Sequence, residues 1–350
     1  MSERTLAGFA ASPGQAAGPA VVLAGGEHAA AEVPAAARQA ELAQARRAFE
    51  AAAADVVRIA ERLRTEGRLP EAEIVETGAL MAADPTLDRE VSRLVLVEGR
   101  PAADAIRVAA EGAAAQLAAL PDPVLAERAD DVRSLGRRAA AHAVGGGRAR
   151  GGGVLVADGL GPADVADLGP DVRGIALAGG GVTAHAAIVA RSLGLPMVVG
   201  LGDAVLDIAD GEPVVVDGDG GRLVRHPAAE RTAAAEHDSQ RRAGARARAR
   251  AESHLPSRTR DGRLISVLVN AASAAEVSEG LQQGAEGVGL LRTELSFLDA
   301  RAWPTASQHV GSWNRFCPSS AAGSPPCACS ISGATRRRRS WRPRTSAVSS

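Results

Sequence analysis

The feature that most restricts the fold of this chain is a change of texture that happens twice. Residues 33–144 read as helix almost throughout, whereas short apolar runs broken by Gly and Pro lie on either side of them. Ahead of the block, residues 5–23 (TLAGFAASPGQAAGPAVVL) predict two short strands around a Ser12-Pro13-Gly14 turn, because Pro and Gly interrupt small, apolar residues. Inside it, Leu42, Phe49, Val56, Ile59 and Leu63 recur at spacings of three, four or seven, which predicts a long helix from Val33 to Leu63. Further helices are separated by breaks near Gly67–Pro70, Asp84–Pro85, Gly99–Pro101 and Pro121–Pro123. After Gly145–Gly147 come β-rich runs at 154–158, 174–178, 196–200 and 213–217. An α/β domain that uses strands from both flanks, with the helical block as an insertion, accounts for this order.

Hydrophobic residues make up 46% of the 350, but aromatics only 2% and Tyr none, so the helices must pack on Ala and Leu. There is no lysine. The formal net charge of −1 conceals an asymmetry: beyond position 308 there are seven Arg and no acid, so the first 308 residues carry a net −8. An acidic body argues against nucleic acid and suits a basic protein partner. No apolar run approaches the roughly 18 residues of a spanning helix and no signal-peptide pattern opens the chain, so no membrane contact and a cytoplasmic location are expected. Cys317, Cys327 and Cys329 form neither a disulfide framework nor a recognised metal spacing.

Residues 228–253 are rich in Ala and Arg with hardly any bulky apolar side chain, the pattern of a solvated linker helix. Runs at 264–270 and 286–294 flank a helical stretch at 274–285, a strand, helix, strand order that would open a (β/α)8 barrel of about 250 residues. From His309 the periodicity vanishes into Ser, Pro, Arg and Cys. The simplest reading of that tail is translation in a shifted frame, with a basic nucleic-acid-binding tail as the alternative.

Chemistry concentrates in GGGVTAHAAIVARSLGLPMVVG, residues 179–200. The glycines permit a tight turn, and a helix begins near His185, where free amides and the helix dipole favour an anion. A neutral imidazole can attack phosphorus, hold the group covalently and pass it on. Thr183 is placed to orient the imidazole or meet phosphoryl oxygens, and Arg191 lies on the same helix. The bland alternative is a capped helix start with an incidental His.

The longer string resembles the phosphohistidine signature of the phosphoenolpyruvate-utilising enzymes, through Gly180, Gly181, Thr183, Ala184, His185, Ala190, Arg191, Gly194, Pro196, Val198 and Gly200. Ala184 stands where many members have Ser. Three further segments resemble enzyme I of the sugar phosphotransferase system: GFAASPGQAAGPAVVL at the start; Glu127, Arg128, Ala129, Asp131, Val132 and Arg133 ahead of the second β-rich region; and GAEGVGLLRTELSFLD at 284–299. The resemblance implies a phosphoenolpyruvate-protein phosphotransferase. His185 would be the phosphohistidine nucleophile with Thr183 and Arg191 in its site, and Arg128 would contact the partner. Substrate binding would fall to Gly180, Gly181 and Arg292, whose planar guanidinium suits a phosphate.

The implied architecture is multidomain α and β. A phosphohistidine α/β (swivelling) domain takes 1–23 and 146–227, an all-α insertion that binds the phosphocarrier HPr takes 24–145, and a linker helix takes 228–256. An incomplete phosphoenolpyruvate-binding barrel occupies 257–308, and 309–350 is a non-native or disordered tail. The family's second phosphate-binding Arg, acidic Mg2+ ligands and cysteine acid have no match after Asp299. Mg2+ is therefore implied by the resemblance without ligands in this chain, only the HPr half-reaction is expected of it, and the family's homodimer is not expected to carry over. Two alternatives stay open: a non-catalytic chain that binds HPr, and a relative of pyruvate phosphate dikinase or phosphoenolpyruvate synthase. The latter fits poorly, because the residues ahead of His185 read as helices and not as a nucleotide-binding domain.

Overall fold

The structure is a computed structural model that describes residues 3–23, 31–122, 126, 128–145, 152–271, 274–292, 305 and 307. It forms two compact units, Met1–Ala247 and Arg248–Ser350. The expected non-native tail from 309 onward lies outside the described residues.

Eight strands of the first unit make one sheet: β1 (Arg4–Ala7), β2 (Phe9–Ser12), β3 (Gln15–Val22), β4 (Gly153–Ala157), β5 (Val172–Leu177), β6 (Met197–Val199), β7 (Pro213–Asp217) and β8 (Arg222–Arg225). Their order is β1-β8-β7-β3-β4-β5-β6-β2. β3 to β6 run parallel, and the remaining pairs are antiparallel. The strands expected around the Ser12-Pro13-Gly14 turn do not pair with each other: β2 joins β6, whereas β3 joins β4 and β7. The two outermost strands, β1 and β2, are separated in the chain only by Gly8. The sheet therefore curls until one extended segment serves both of its edges, which hides edges that would otherwise invite pairing with another chain.

The helical insertion contributes α1 (Arg38–Thr65), α2 (Leu69–Leu80), α3 (Pro85–Leu96), α4 (Ala102–Ala118) and α5 (Arg128–Ala143). The Pro and Gly breaks fall where these helices start and stop. Asp84, ahead of Pro85, caps α3 by accepting from the Thr86 N–H at 2.7 Å. Small residues let α4 and α5 approach closely, with Gly136 lying against Ala110. At about 1.5 Å per residue, α1 is long enough to serve two cores. Its first half packs Leu42 and Phe49 with Leu87, Ile106 and Leu135 of α3, α4 and α5. Its second half packs Val56, Ile59 and Leu63 with Val75 of α2, Ile175 of β5 and Met197 of β6. The insertion and the sheet thus share one continuous core instead of meeting as separate modules.

Charges reinforce that joint. Arg138 on α5 donates to Asp167 at 2.9 Å and to Asp164 at 3.3 Å, and Arg137 donates to Asp164 at 2.8 Å. Both acids belong to or follow α6 (Pro162–Ala166), a short helix of the α/β region. Arg62 of α1 donates to the Ala166 carbonyl of the same helix.

α7 (His185–Leu193) crosses the sheet between β5 and β6, and α8 (Ala229–Glu252) follows β8. Ala235 is the one buried residue of α8, so this helix is almost entirely solvated. In the second unit, β9 (Leu268–Ala271) and β10 (Gly287–Leu291) pair in parallel around α9 (Ala274–Gln282). The first strand is shorter than the 264–270 run suggests, because Leu264 bridges back to Arg258 in a local turn. Among the described residues, no helix is long and apolar enough to cross a membrane.

Candidate active site

The Gly-rich loop leaves the carboxyl end of β5, where open parallel sheets place their ligand sites. Its start is held from both sides: the Gly179 N–H donates to Asp158 O at 2.9 Å beyond β4, and Gly179 O accepts from the Gly200 N–H at 3.0 Å beyond β6. Gly180 then takes φ +86, a conformation that a side chain would strain. The chain rises through exposed Gly181, Val182 and Thr183, and Ala184 turns into α7 with φ −55 and ψ 148. His185 is the first residue of the helix, so its side chain sits at the positive end of the dipole.

The imidazole is 20% exposed. Its Nδ1 is buried without a hydrogen bond and lies 3.7 Å from Oδ2 of Asp131, a residue of α5 that is only 5% exposed. The same carboxylate oxygen accepts from Arg128 Nη1 at 3.0 Å. Burial pushes the Asp131 carboxyl up from its ordinary value, against the Arg128 hydrogen bond and the attraction of His185 that favour its ionised form. Asp130 beside it is pushed up for the same reason, with Arg133 opposing. One face of the ring thus abuts an acid that the helical insertion supplies, which leaves Nε2 as the nitrogen directed outward.

The other residues expected from sequence occupy different places. Arg191 is on α7, and its Nη1 donates to Ala11 O at 2.7 Å and Val182 O at 3.1 Å, strapping the helix to β2 and to the loop. Arg128 is a quarter exposed and its guanidinium is committed to Asp131, so it meets the His185 environment through that acid. Thr183 stands exposed two residues before His185. Arg292 follows β10 in the second unit with its side chain exposed, and its backbone N–H donates to Ala271 O at 2.8 Å. Glu127 and Asp299 lie outside the described residues.

Asp131 is the site residue that sequence reasoning missed. The string from Glu127 to Arg133 is recognisable, yet nothing local distinguishes a buried Asp on an Ala-rich helix from a solvated one. Its neighbour His185 is 54 positions away.

Among the described residues, no three His, Cys, Asp or Glu side chains gather as a metal set.

Comparison with known proteins gives three consecutive matches to family models. Residues 7–128 match the N-terminal domain of the PEP-utilising enzymes, 149–221 their mobile domain, and 246–322 their PEP-binding domain. The phosphoenolpyruvate-protein phosphotransferase of Streptomyces coelicolor is 36% identical over 316 residues, covering 86% of this chain and 53% of that protein. The multiphosphoryl transfer protein of Xanthomonas campestris is 36% identical over 249 residues, covering 68% of this chain and 29% of its own length. The chain thus spans about half, or less, of the length of these relatives. A solution structure of an enzyme I protein is 31% identical, with a TM-score of 0.47, and covers 67% of this chain and 98% of that one.

Proposed function

Because the chain belongs to the PEP-utilising enzymes, grouping with the phosphoenolpyruvate-protein phosphotransferases, we propose that it carries a phosphoryl group on His185 and exchanges it with the phosphocarrier HPr. The observation that carries this reading is His185 at the first position of α7 with buried Asp131 behind Nδ1. An outward Nε2 attacks phosphorus, the N–P bond forms there, and the carrier's leaving group departs with the electron pair of the broken bond. Transfer makes the ring cationic, and Asp131, held by Arg128, offsets that charge from the Nδ1 side. The phosphoryl oxygens fall at the helix N-terminus, beside Thr183 and the backbone of Gly180 and Gly181.

Residues 24–145 serve as the docking face. Leu80 at the end of α2 and Val97 beyond α3 are 76% and 71% exposed, apolar side chains available to a partner. Arg292, in the stretch matched by the PEP-binding domain, is assigned to the donor phosphate. A single guanidinium falls short of neutralising a phosphate, so labelling by phosphoenolpyruvate should be slow beside exchange with phospho-HPr.

Parallel labelling of one preparation tests both halves. Acid-labile phosphate acquired from phospho-HPr, absent from His185→Ala, and little from phosphoenolpyruvate with Mg2+, is expected. Equal labelling by both donors would mean that a donor site is complete, and labelling by neither would favour a non-catalytic HPr-binding chain.

A further inference from the structure

At the far end of α7 from His185, a cleft of about 330 Å3 opens between the Ser12-Pro13-Gly14 turn, the end of α7 and residues 242–246 of α8. Three arginines line it, each with hydrogen-bonding capacity left over. Arg191 uses only Nη1, on Ala11 O and Val182 O. Arg246 uses only Nη1, donating to Gly194 O at 3.1 Å. Arg242 donates from Nε to Asp238 and from Nη2 to Asp219, both at 2.6 Å, leaving Nη1. Asp238 is shared with Arg241 at 2.5 Å, so the two acids do not neutralise the cluster.

Two details mark this as a receptacle and not as three incidental surface charges. Ser12, only 1% exposed, lines the cleft with its Oγ buried and without a hydrogen-bond partner. In the empty cleft that hydroxyl is unmet, and rotation about its Cα–Cβ bond toward the cleft would bring it to a ligand oxygen. In addition, Gly194 ends α7 in the left-handed conformation at φ +72, and its missing side chain leaves the space that the Arg246 guanidinium fills. The last carbonyls of α7 would repel an anion by themselves; Arg191 and Arg246 overturn that sign locally.

We propose that this cleft binds a phosphate group, and that the bound anion clasps residues 242–246 of α8 to the helix that carries His185. Planar guanidinium donors match phosphate oxygens in geometry and charge. The device has mechanical meaning because α8 buries little beyond Ala235, so polar contacts decide how firmly it docks. Free phosphate and the ester of a small molecule share this chemistry, and the cleft has room for either. The inference does not depend on the role of His185.

The test uses the full chain in phosphate-free buffer at constant ionic strength, titrated with inorganic phosphate by calorimetry and thermal unfolding. Saturable binding is expected, with Tm raised by about 3–6 °C at ten times the dissociation constant. His185→Ala should bind equally, Ser12→Ala more weakly, and the double variant Arg242→Gln/Arg246→Gln not at all. Should that variant fold poorly, phenylglyoxal mapping of the unaltered chain decides: phosphate should protect Arg191, Arg242 and Arg246 but not exposed Arg47. Competition by glycerol 3-phosphate would identify an ester as ligand, and its failure the free ion, both upholding the site. Absence of saturable binding, an equal response to acetate, unchanged affinity in the double variant, or no protection of the three arginines would each overturn it.

Discussion

Replacing Asp131 by Asn should slow phosphoryl acceptance while leaving the fold as stable as before or more so. For full unit charges 3.7 Å apart, an effective dielectric of 20 gives about 4.5 kcal/mol. Only part of that charge has developed on the ring in the transition state, and Arg128, 3.0 Å from the same oxygen, cancels part of the field. About 1–2 kcal/mol remains, a loss of roughly 5- to 30-fold in rate. Stability should move the other way. The folded carboxyl of Asp131 is pushed up by burial, so its contribution is fully present below the ordinary carboxylate value and is lost as pH rises through the raised one. At neutral pH the ionised group is therefore a burden that Asn lacks, and Asn gains on Asp from about pH 4 upward. The released Arg128 is a quarter exposed and can hydrate. Rapid-quench labelling with phospho-HPr from pH 6 to 8, beside urea titrations of both proteins, measures the two effects. A wild-type rate across that range, or a slower rate matched by a loss of stability, would refute the reasoning.

Three further outcomes follow from the same geometry. His185→Ala should carry no acid-labile phosphate after exposure to phospho-HPr, with stability by urea titration changed by less than about 1 kcal/mol, since the side chain is partly exposed and makes no hydrogen bond through Nδ1. Asp164→Ala should cost about 2–4 kcal/mol, because it removes the tie of Arg137 to α6 and the longer of the two that Arg138 makes, leaving Arg138 with Asp167. Burial opposes ionisation of Asp164, but those arginines, with a hydrogen bond from Ser134, outweigh it and hold its carboxyl below the ordinary value; the stability it contributes is present above about pH 4, is lost as pH falls through the lowered value, and should be missing from the acid limb of the variant's urea midpoints. Finally, exchange with HPr should slow as salt rises, since charge steering by the acidic body is screened over about 8 Å at physiological ionic strength, and a salt-independent rate would contradict a charged docking face.

Everything that local pattern encodes was readable from the chain itself. The 3.6-residue recurrence from Leu42 to Leu63 specifies α1, the paired Gly and Pro residues punctuate the insertion, and His185 stands out because a Gly loop and a helix start are contiguous in sequence. Whatever depends on contacts between distant segments had to wait for the tertiary structure. Gly8 switches one extended segment between two sheet edges, which strand periodicity cannot express, since alternation fixes the face of a strand but not its partner. Asp131 reaches His185 only because the second half of α1 shares the core of the sheet and brings the insertion with it, and the shift of its carboxyl follows from that burial. Arg191, a cation six residues from the nucleophile, binds the carbonyls of Ala11 and Val182, partners that only the packing of α7 against β2 and the loop brings within its reach. The sequence therefore determines which helices and strands form and which histidine can carry chemistry, whereas burial and pairing across the fold decide which charges that histidine feels.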